Sequence, residues 1–80
     1  MARYLTDLPK GAEGLIIGIQ GGRGMQMRLR RLGLSEGQVV RKLSALAWGG
    51  PVVVLVNRAQ VAIGRGMARR ILVRANTRGR

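Results

Sequence analysis

Glycine interrupts this chain so often that only short secondary-structure elements fit between the interruptions. The sequence contains 13 glycines among 80 residues, and most of them stand between apolar segments. Because glycine favours turns and weakens the interior of a helix or strand, the sequence predicts short elements joined by tight turns. It contains no cysteine, so disulfides cannot supplement the core of this small fold.

Apolar, β-branched runs mark the predicted strands, and one segment has helical periodicity. Met25, Leu29 and Leu32 recur at helical spacing with arginines between them, and Gly33 can end this helix in the left-handed conformation. A short helical turn at 66–69 precedes the final apolar run. The predicted strands cover residues 15–19, 38–43, 52–56, 59–63 and 71–73.

Five short strands and one helix favour a curled sheet, because one helix cannot cover both faces of a wide open sheet. We predict a mainly β fold, a small SH3-like five-stranded barrel with one helix between strands 1 and 2 and a short helical turn before the last strand. An OB-like barrel also has five strands, but the early helix favours the SH3-like one. Gly18 marks a bulge, a bend or a close backbone approach. Residues 1–75 form the domain, and 76–80 a disordered basic tail.

Positive charge dominates the composition. Lysine and arginine number 15 against three acidic residues, which gives a formal net charge of +12. Such a field attracts nucleic acid, an anionic membrane surface or an acidic protein, and it does not choose among them. Arginine pairs well with phosphate and carboxylate, but GC-rich coding would also produce this arginine excess without selection for binding.

The inventory of reactive side chains predicts neither an enzyme nor a metal site. The chain has no histidine and no cysteine. Its carboxylates, Asp7, Glu13 and Glu36, stand in separate predicted turns, so no acid–base pair or iron-binding group is expected. We expect no cofactor. Arg3 is followed by Asp7, Pro9 and Lys10 rather than by the apolar stretch of a signal sequence. The longest apolar run, 51–56, is too short for a membrane span, so we expect a cytoplasmic protein.

Several short motifs occur in a fixed order along the chain. They are Leu5, Leu8, Gly11, Gly14 and Ile16, then 28–37, Gly50-Pro51-Val52, 61–63 and 68–73. The most specific is Leu32-Gly33-Leu34, followed two residues later by Gly37. Their order and spacing resemble the FeoA family of bacterial ferrous iron transport over about residues 5–74. The module is also similar to the C-terminal domain of DtxR-type metal-dependent repressors.

The resemblance implies a non-catalytic SH3-like domain that modulates the membrane GTPase transporter FeoB by docking on its cytosolic G-domain region. Residues predicted to contact a partner are Arg28, Arg31, Leu34, Trp48, Arg58, Arg65 and Arg69. Leu34 and Trp48 have a structural alternative, since Leu34 can pack beneath the helix end and Trp48 can cap one end of the barrel. The sequence is also compatible with a homo-oligomer.

The closing turn carries Arg65, Arg69 and Arg70 without an acidic neighbour, which leaves room for a further role against an acidic protein or lipid headgroups. Nucleic-acid binding is the competing function, because small basic barrels often bind RNA or single-stranded DNA. Only Tyr4 and Trp48 could stack on bases. The sequence therefore favours a protein partner over nucleic acid.

Overall fold

A computed structural model describes residues 2–45 and 50–76 of the chain. Within these residues, six strands form one antiparallel sheet, accompanied by two short helices and a 3₁₀ turn at Leu5–Asp7. The strands are β1 (Ala2–Tyr4), β2 (Glu13–Ile19), β3 (Val39–Ala45), β4 (Val52–Val56), β5 (Ala59–Ile63) and β6 (Ile71–Ala75), and the helices are α1 (Arg23–Arg31) and α2 (Arg65–Ala68). Neither described helix is long and apolar enough to cross a lipid bilayer.

The predicted mainly β fold is confirmed, but the five-stranded barrel is wrong in two respects. The sixth strand, β1, has no apolar alternation of its own, and it forms by pairing with β6, where Tyr4 lies opposite Leu72. The sheet is also not closed. Its strand order is β1-β6-β2-β3-β4-β5, so β1 and β5 are its edges among the described residues. Predicted strands 52–56 and 59–63 match the structure, and the other predicted boundaries shift by one or two residues.

One hydrophobic core fills the inner face of the sheet. In β4, Val52, Val54 and Val56 point inward, and the residues between them are half-buried. In a flat sheet, β5 and β6 would lie four strand spacings apart, which is about 19 Å. Ile63 of β5 and Ile71 of β6 nevertheless belong to one core cluster, so the sheet curls around its core. The buried core residues are Leu5, Leu8, Ile16, Leu29, Leu34, Val40, Val52, Val54, Val56, Ile63, Ala68, Ile71 and Val73.

Two glycines shape the contact between β2 and β6. The register of this strand pair shifts between Ile16 and Gly18, which is the irregularity that a bulge at Gly18 produces. Gly14 lies on the buried face, where an added Cβ would stand 2.9 Å from the Cβ of Val73 and 3.5 Å from the Cδ2 of Leu8. The close approach of β2 to β6 therefore requires a residue without a side chain at Gly14.

A Schellman motif ends α1 and fixes its position on the sheet. Gly33 has a φ of +88°, and its amide donates to the Arg30 carbonyl at 2.9 Å, while the Leu34 amide donates to the Leu29 carbonyl at 2.9 Å. These two bonds supply donors to carbonyls that would otherwise lack a hydrogen-bond partner at the helix end. They also direct Leu34 beside Leu29 in the core. Leu32, predicted to complete the apolar stripe of the helix, is 39% exposed instead, because the helix ends at Arg31.

Lys42 is the one charged residue that the described part of the structure buries. Its side chain is only 7% exposed, and its Nζ donates to the Thr6 carbonyl at 2.9 Å. Burial lowers the pKa of this amine from its ordinary value of 10.5, the positive charge of Arg65 lowers it further, and Asp7 acts in the opposite direction. The folded chain therefore carries a penalty for holding Lys42 protonated.

We expect Gly14→Ala to lower the free energy of unfolding by about 1–3 kcal/mol, the usual cost of overpacking a core. The new methyl group meets the Cβ of Val73, which cannot move without shifting β6. Gly18→Ala is the matched control, because nothing lies within 4 Å of a Cβ at that position. Urea unfolding of both variants measures the difference, and equal stability of the two variants would contradict the close approach at Gly14.

We expect the stability of the native protein, relative to Lys42→Met, to rise as the pH increases toward the ordinary lysine pKa of 10.5. The pKa of Lys42 is lower in the folded chain than in the unfolded chain, so the unfolded chain binds more protons between those two values. Stability therefore increases with pH across that interval. Urea unfolding at several pH values measures the difference, and Lys10→Met controls for loss of an exposed lysine. Parallel profiles of stability against pH for the native protein and Lys42→Met would show that burial does not disfavour the protonated form of the Lys42 amine.

Candidate functional site

The outer face of α1 carries arginines around one exposed methionine. Leu29 packs into the core, and Met27 stands on the opposite side of the helix, where it is 45% exposed. Arg23 lies one turn before Met27, and Arg30 and Arg31 lie one turn after it, because residues three and four positions apart are neighbours on a helix. The first turn contains no acidic residue. The arginines of the last turn lie near the negative end of the helix dipole, so their placement stabilises α1.

The C-terminal end of α1 lies beside the turn between β4 and β5. A Cβ added to Gly33 would stand 3.5 Å from the Nδ2 of Asn57. Asn57 and Arg58 form this two-residue turn with φ values of 53° and 66°, which is the type I′ geometry that joins twisted strands. Asparagine tolerates this left-handed region, but arginine rarely adopts it. Arg58 is therefore an exposed guanidinium held on strained backbone, next to the end of α1.

The N-terminal end of α1 lies beside the start of β6. The Gln20 amide donates to the Arg70 carbonyl at 2.7 Å, and a Cβ added to Gly21 would stand 3.6 Å from the Cδ of Arg70. Arg70 thus flanks one end of α1, as Arg58 flanks the other. We call the resulting set of exposed residues the arginine stripe. It consists of Arg23, Arg28, Arg30, Arg31, Arg58 and Arg70.

Acidic residues do little to neutralise the arginine stripe. Glu13 is held by Arg41, with 2.8 Å between Oε2 and Nη2, and it also accepts from Asn76. This ion pair lies on β2 and β3, away from the stripe. Asp7 faces the buried Lys42. The stripe therefore keeps most of its positive charge available to a partner.

A groove of about 460 Å³ runs along one flank of α1. Leu34 forms part of its base, and polar side chains from both sides complete it. Gln26 is anchored there, since its Nε2 donates to the Gly21 carbonyl at 3.2 Å and to the Ile19 carbonyl at 3.4 Å. The lining residues are Ile19, Gln26, Arg30, Leu34, Ser35 and Glu36. The groove therefore offers one positive side chain, one negative side chain and neutral hydrogen-bonding groups on an apolar base.

The structure separates the seven residues predicted to contact a partner. Arg28, Arg31, Arg58 and Arg69 are exposed, and the first three belong to the arginine stripe. Arg65 is partly buried and acts on Lys42, so it belongs to a different region. Leu34 is fully buried in the core, where the Schellman motif places it. This agrees with its structural alternative, and its contact with a partner stays a prediction. Trp48 lies outside the described residues.

Sequence reasoning missed the groove itself. Gln26 stands between predicted core positions of a helix, and Ser35 and Glu36 were assigned only to a turn. The signal that could have identified them is the Leu32-Gly33-Leu34 motif, because a Schellman end folds the following residues back along the helix. Ser35 and Glu36 then lie across from Gln26 and Arg30.

The donor set does not fit a transition-metal site. The sequence has no histidine and no cysteine, which are the preferred ligands for zinc and related ions. No group of three potential ligands occurs within the described ranges. Glu13 is also occupied by Arg41 and Asn76.

Comparison with known proteins identifies the family. A family model described as the FeoA domain matches residues 3–75, which is nearly the whole chain. The chain belongs to the FeoA family. This family is implicated in ferrous iron transport, in agreement with the resemblance found in the sequence. No curated protein sequence matches the chain.

Solved structures of FeoA proteins share this fold. The crystal structure of an iron uptake regulatory protein, FeoA, is 30% identical, with a TM-score of 0.86 over 95% of this chain and 99% of that one. FeoA from Stenotrophomonas maltophilia, complexed with zinc and described as an SH3 domain protein, is 26% identical, with a TM-score of 0.76 over 90% and 89% of the two chains. The predicted SH3-like fold is therefore confirmed.

A different class of protein contains the same module. A manganese-dependent transcriptional repressor is 25% identical to the chain, with a TM-score of 0.86 over 94% of it. This FeoA-family chain spans only 42% of the repressor. The match agrees with the similarity to metal-dependent repressors seen in the sequence motifs.

We expect Arg58→Gly to raise the free energy of unfolding by about 0.5–1 kcal/mol, because glycine removes the cost of a left-handed arginine and loses part of that gain to backbone entropy. Asn57→Gly is the control, and it should have a smaller effect because asparagine already tolerates this conformation. Thermal unfolding of both variants provides the comparison. A loss of stability in Arg58→Gly would mean that its side chain contributes more to the fold than its backbone costs.

Proposed function

We propose that the chain is a non-enzymatic, cytoplasmic accessory protein of ferrous iron transport that docks on the cytosolic G-domain region of a FeoB-type membrane GTPase. Membership of the FeoA family over residues 3–75 carries this proposal. The lack of histidine and cysteine supports a regulatory role rather than catalysis, because the usual nucleophile–base pairs require these residues.

The groove beside α1 is the proposed docking site. Arg30 and Glu36 present opposite charges across it, and Gln26 and Ser35 supply neutral hydrogen-bonding groups. This combination suits an extended segment of a partner that carries both charges, since paired charges within an interface favour one register over others. Leu34 gives the groove an apolar base. Binding at the groove would thus depend on both the charge and the position of a partner's side chains.

The exposed arginines outside the groove have a separate proposed role in docking. Arg28, Arg31, Arg58 and Arg69 are all exposed, and they would attract an acidic partner surface before close contact forms. Charges at the rim of an interface act mainly on the association rate and its salt dependence. Removing one of them should slow association, while groove substitutions should speed dissociation.

The relatives complexed with zinc or manganese raise the question whether this chain binds a metal to act. Its three carboxylates occupy separate places, and no histidine or cysteine is available. We therefore propose that it acts on the transporter by protein contact and holds no metal of its own.

We expect Arg30→Glu to weaken binding to the purified cytosolic part of a FeoB-type transporter by about tenfold or more, because it reverses a groove charge and places it near Glu36. Arg74→Glu is the matched control, with the same change in net charge on an exposed residue of β6. Calorimetric titration at physiological salt measures both variants against the native protein.

Two results of this titration would contradict the proposal. Absence of binding by the native protein would count against transporter docking. An equal loss in Arg30→Glu and Arg74→Glu would mean that net charge, rather than the groove, determines affinity.

A further inference from the structure

The arginine stripe presents more positive charge than a docking groove requires. Its six exposed guanidiniums follow α1 from Arg70 at one end to Arg58 at the other. None of them forms an ion pair within the described residues. Glu36 is the acidic residue that lines the groove with Arg30, and it lies on one flank of the stripe. The other guanidiniums face outward as one unneutralised surface.

The shape of the stripe suits a broad partner. α1 has nine residues and is about 13 Å long, and its outer face is convex, since Leu29 packs inward on the opposite side. The exposed Met27, at 45%, lies among the guanidiniums on the side of α1 opposite Leu29. The stripe therefore combines permanent positive charge with an apolar side chain on one surface.

We infer that the arginine stripe binds the surface of an anionic lipid bilayer, independently of any transporter. The guanidiniums contact lipid phosphates, for which arginine has a matching planar set of donors. Met27 reaches the boundary between headgroups and acyl chains, where its exposed apolar surface leaves water. The chain would thus lie on the membrane, with α1 parallel to its plane.

Two observations favour a bilayer over a polynucleotide. Single-stranded nucleic acid is bound largely by stacking on exposed aromatic rings, and Tyr4, the aromatic residue within the described ranges, is half-buried and pairs into the sheet. A nucleic-acid backbone also offers no apolar layer to cover Met27. A bilayer supplies both the phosphates and the apolar boundary.

The backbone conformation of Arg58 supports a binding role for the arginine stripe. It occupies a left-handed conformation with a φ of 66°, where glycine would cost less, and strained residues concentrate at functional sites. Its exposed side chain extends the charge of α1 beyond the helix end. The strain is thus the cost of adding a guanidinium to the stripe.

The test measures co-sedimentation with large vesicles of phosphatidylcholine containing about one-third phosphatidylglycerol, compared with phosphatidylcholine alone, at about 0.1 M salt. We expect the native protein to bind only the anionic vesicles and to dissociate as salt increases. Each arginine near the surface changes the partition constant by about fivefold. The double variant Arg23→Gln/Arg70→Gln, which spares the arginines with a proposed role in docking, should therefore bind at least about tenfold more weakly.

The matched control is Arg3→Gln/Arg74→Gln, which removes the same charge from exposed residues of β1 and β6 and should change binding by less than about threefold. Met27→Gln keeps the net charge and should weaken binding without changing the salt dependence. Circular dichroism confirms that each variant is folded. None of the altered residues lines the groove, so the result is separate from transporter docking.

Three results would overturn the inference. One is absence of binding by the folded native protein to the anionic vesicles. The second is an equal loss of binding in the stripe variant and its control, which would reduce the effect to net charge. The third is tighter binding to a DNA duplex than to the vesicles at the same salt concentration, which would assign the stripe to nucleic acid.

Discussion

The hydrogen bond from the Leu34 amide to the Leu29 carbonyl determines how α1 relates to the rest of the molecule. It can form only because Gly33 adopts a left-handed conformation. The bond brings Leu34 into the core beside Leu29, which turns the outer face of α1 toward solvent. It also lays Ser35 and Glu36 along the helix. The groove and the arginine stripe thus lie on two sides of one helix that is anchored at its end.

The fold was largely predictable because its strands bury alternate β-branched residues, as Val52 and Val54 show, and because glycine marks its turns. β1 was not predictable, since it depends on the neighbouring β6 rather than on its own sequence. Leu34 kept two predicted roles because an apolar residue beside arginines looks equally suited to a partner or to the core. The groove was missed because it brings Gln26 and Glu36 together through helix-end geometry that no single segment encodes.

The family and the charge describe different properties of this chain. The SH3-like module also occurs within a manganese-dependent repressor, of which this chain spans 42%, so the fold alone does not determine function. Of the 15 basic residues only Lys10 and Lys42 are lysines, and Lys42 is buried. Almost all of the surface charge is therefore guanidinium charge that no physiological pH removes.

The open sheet gives this charge a second consequence. β5 pairs only with β4 among the described strands, and its five residues, Ala59–Ile63, contain neither a charge nor a proline. Natural proteins usually place a charged residue or a proline on an edge strand to prevent pairing with another chain. In this chain, repulsion between whole molecules protects the edge, because two copies that approach edge to edge each carry a net charge of +12. A polyanion that neutralised this charge would allow two open edges to approach each other. The molecules therefore stay apart in solution only while part of their positive charge is not neutralised.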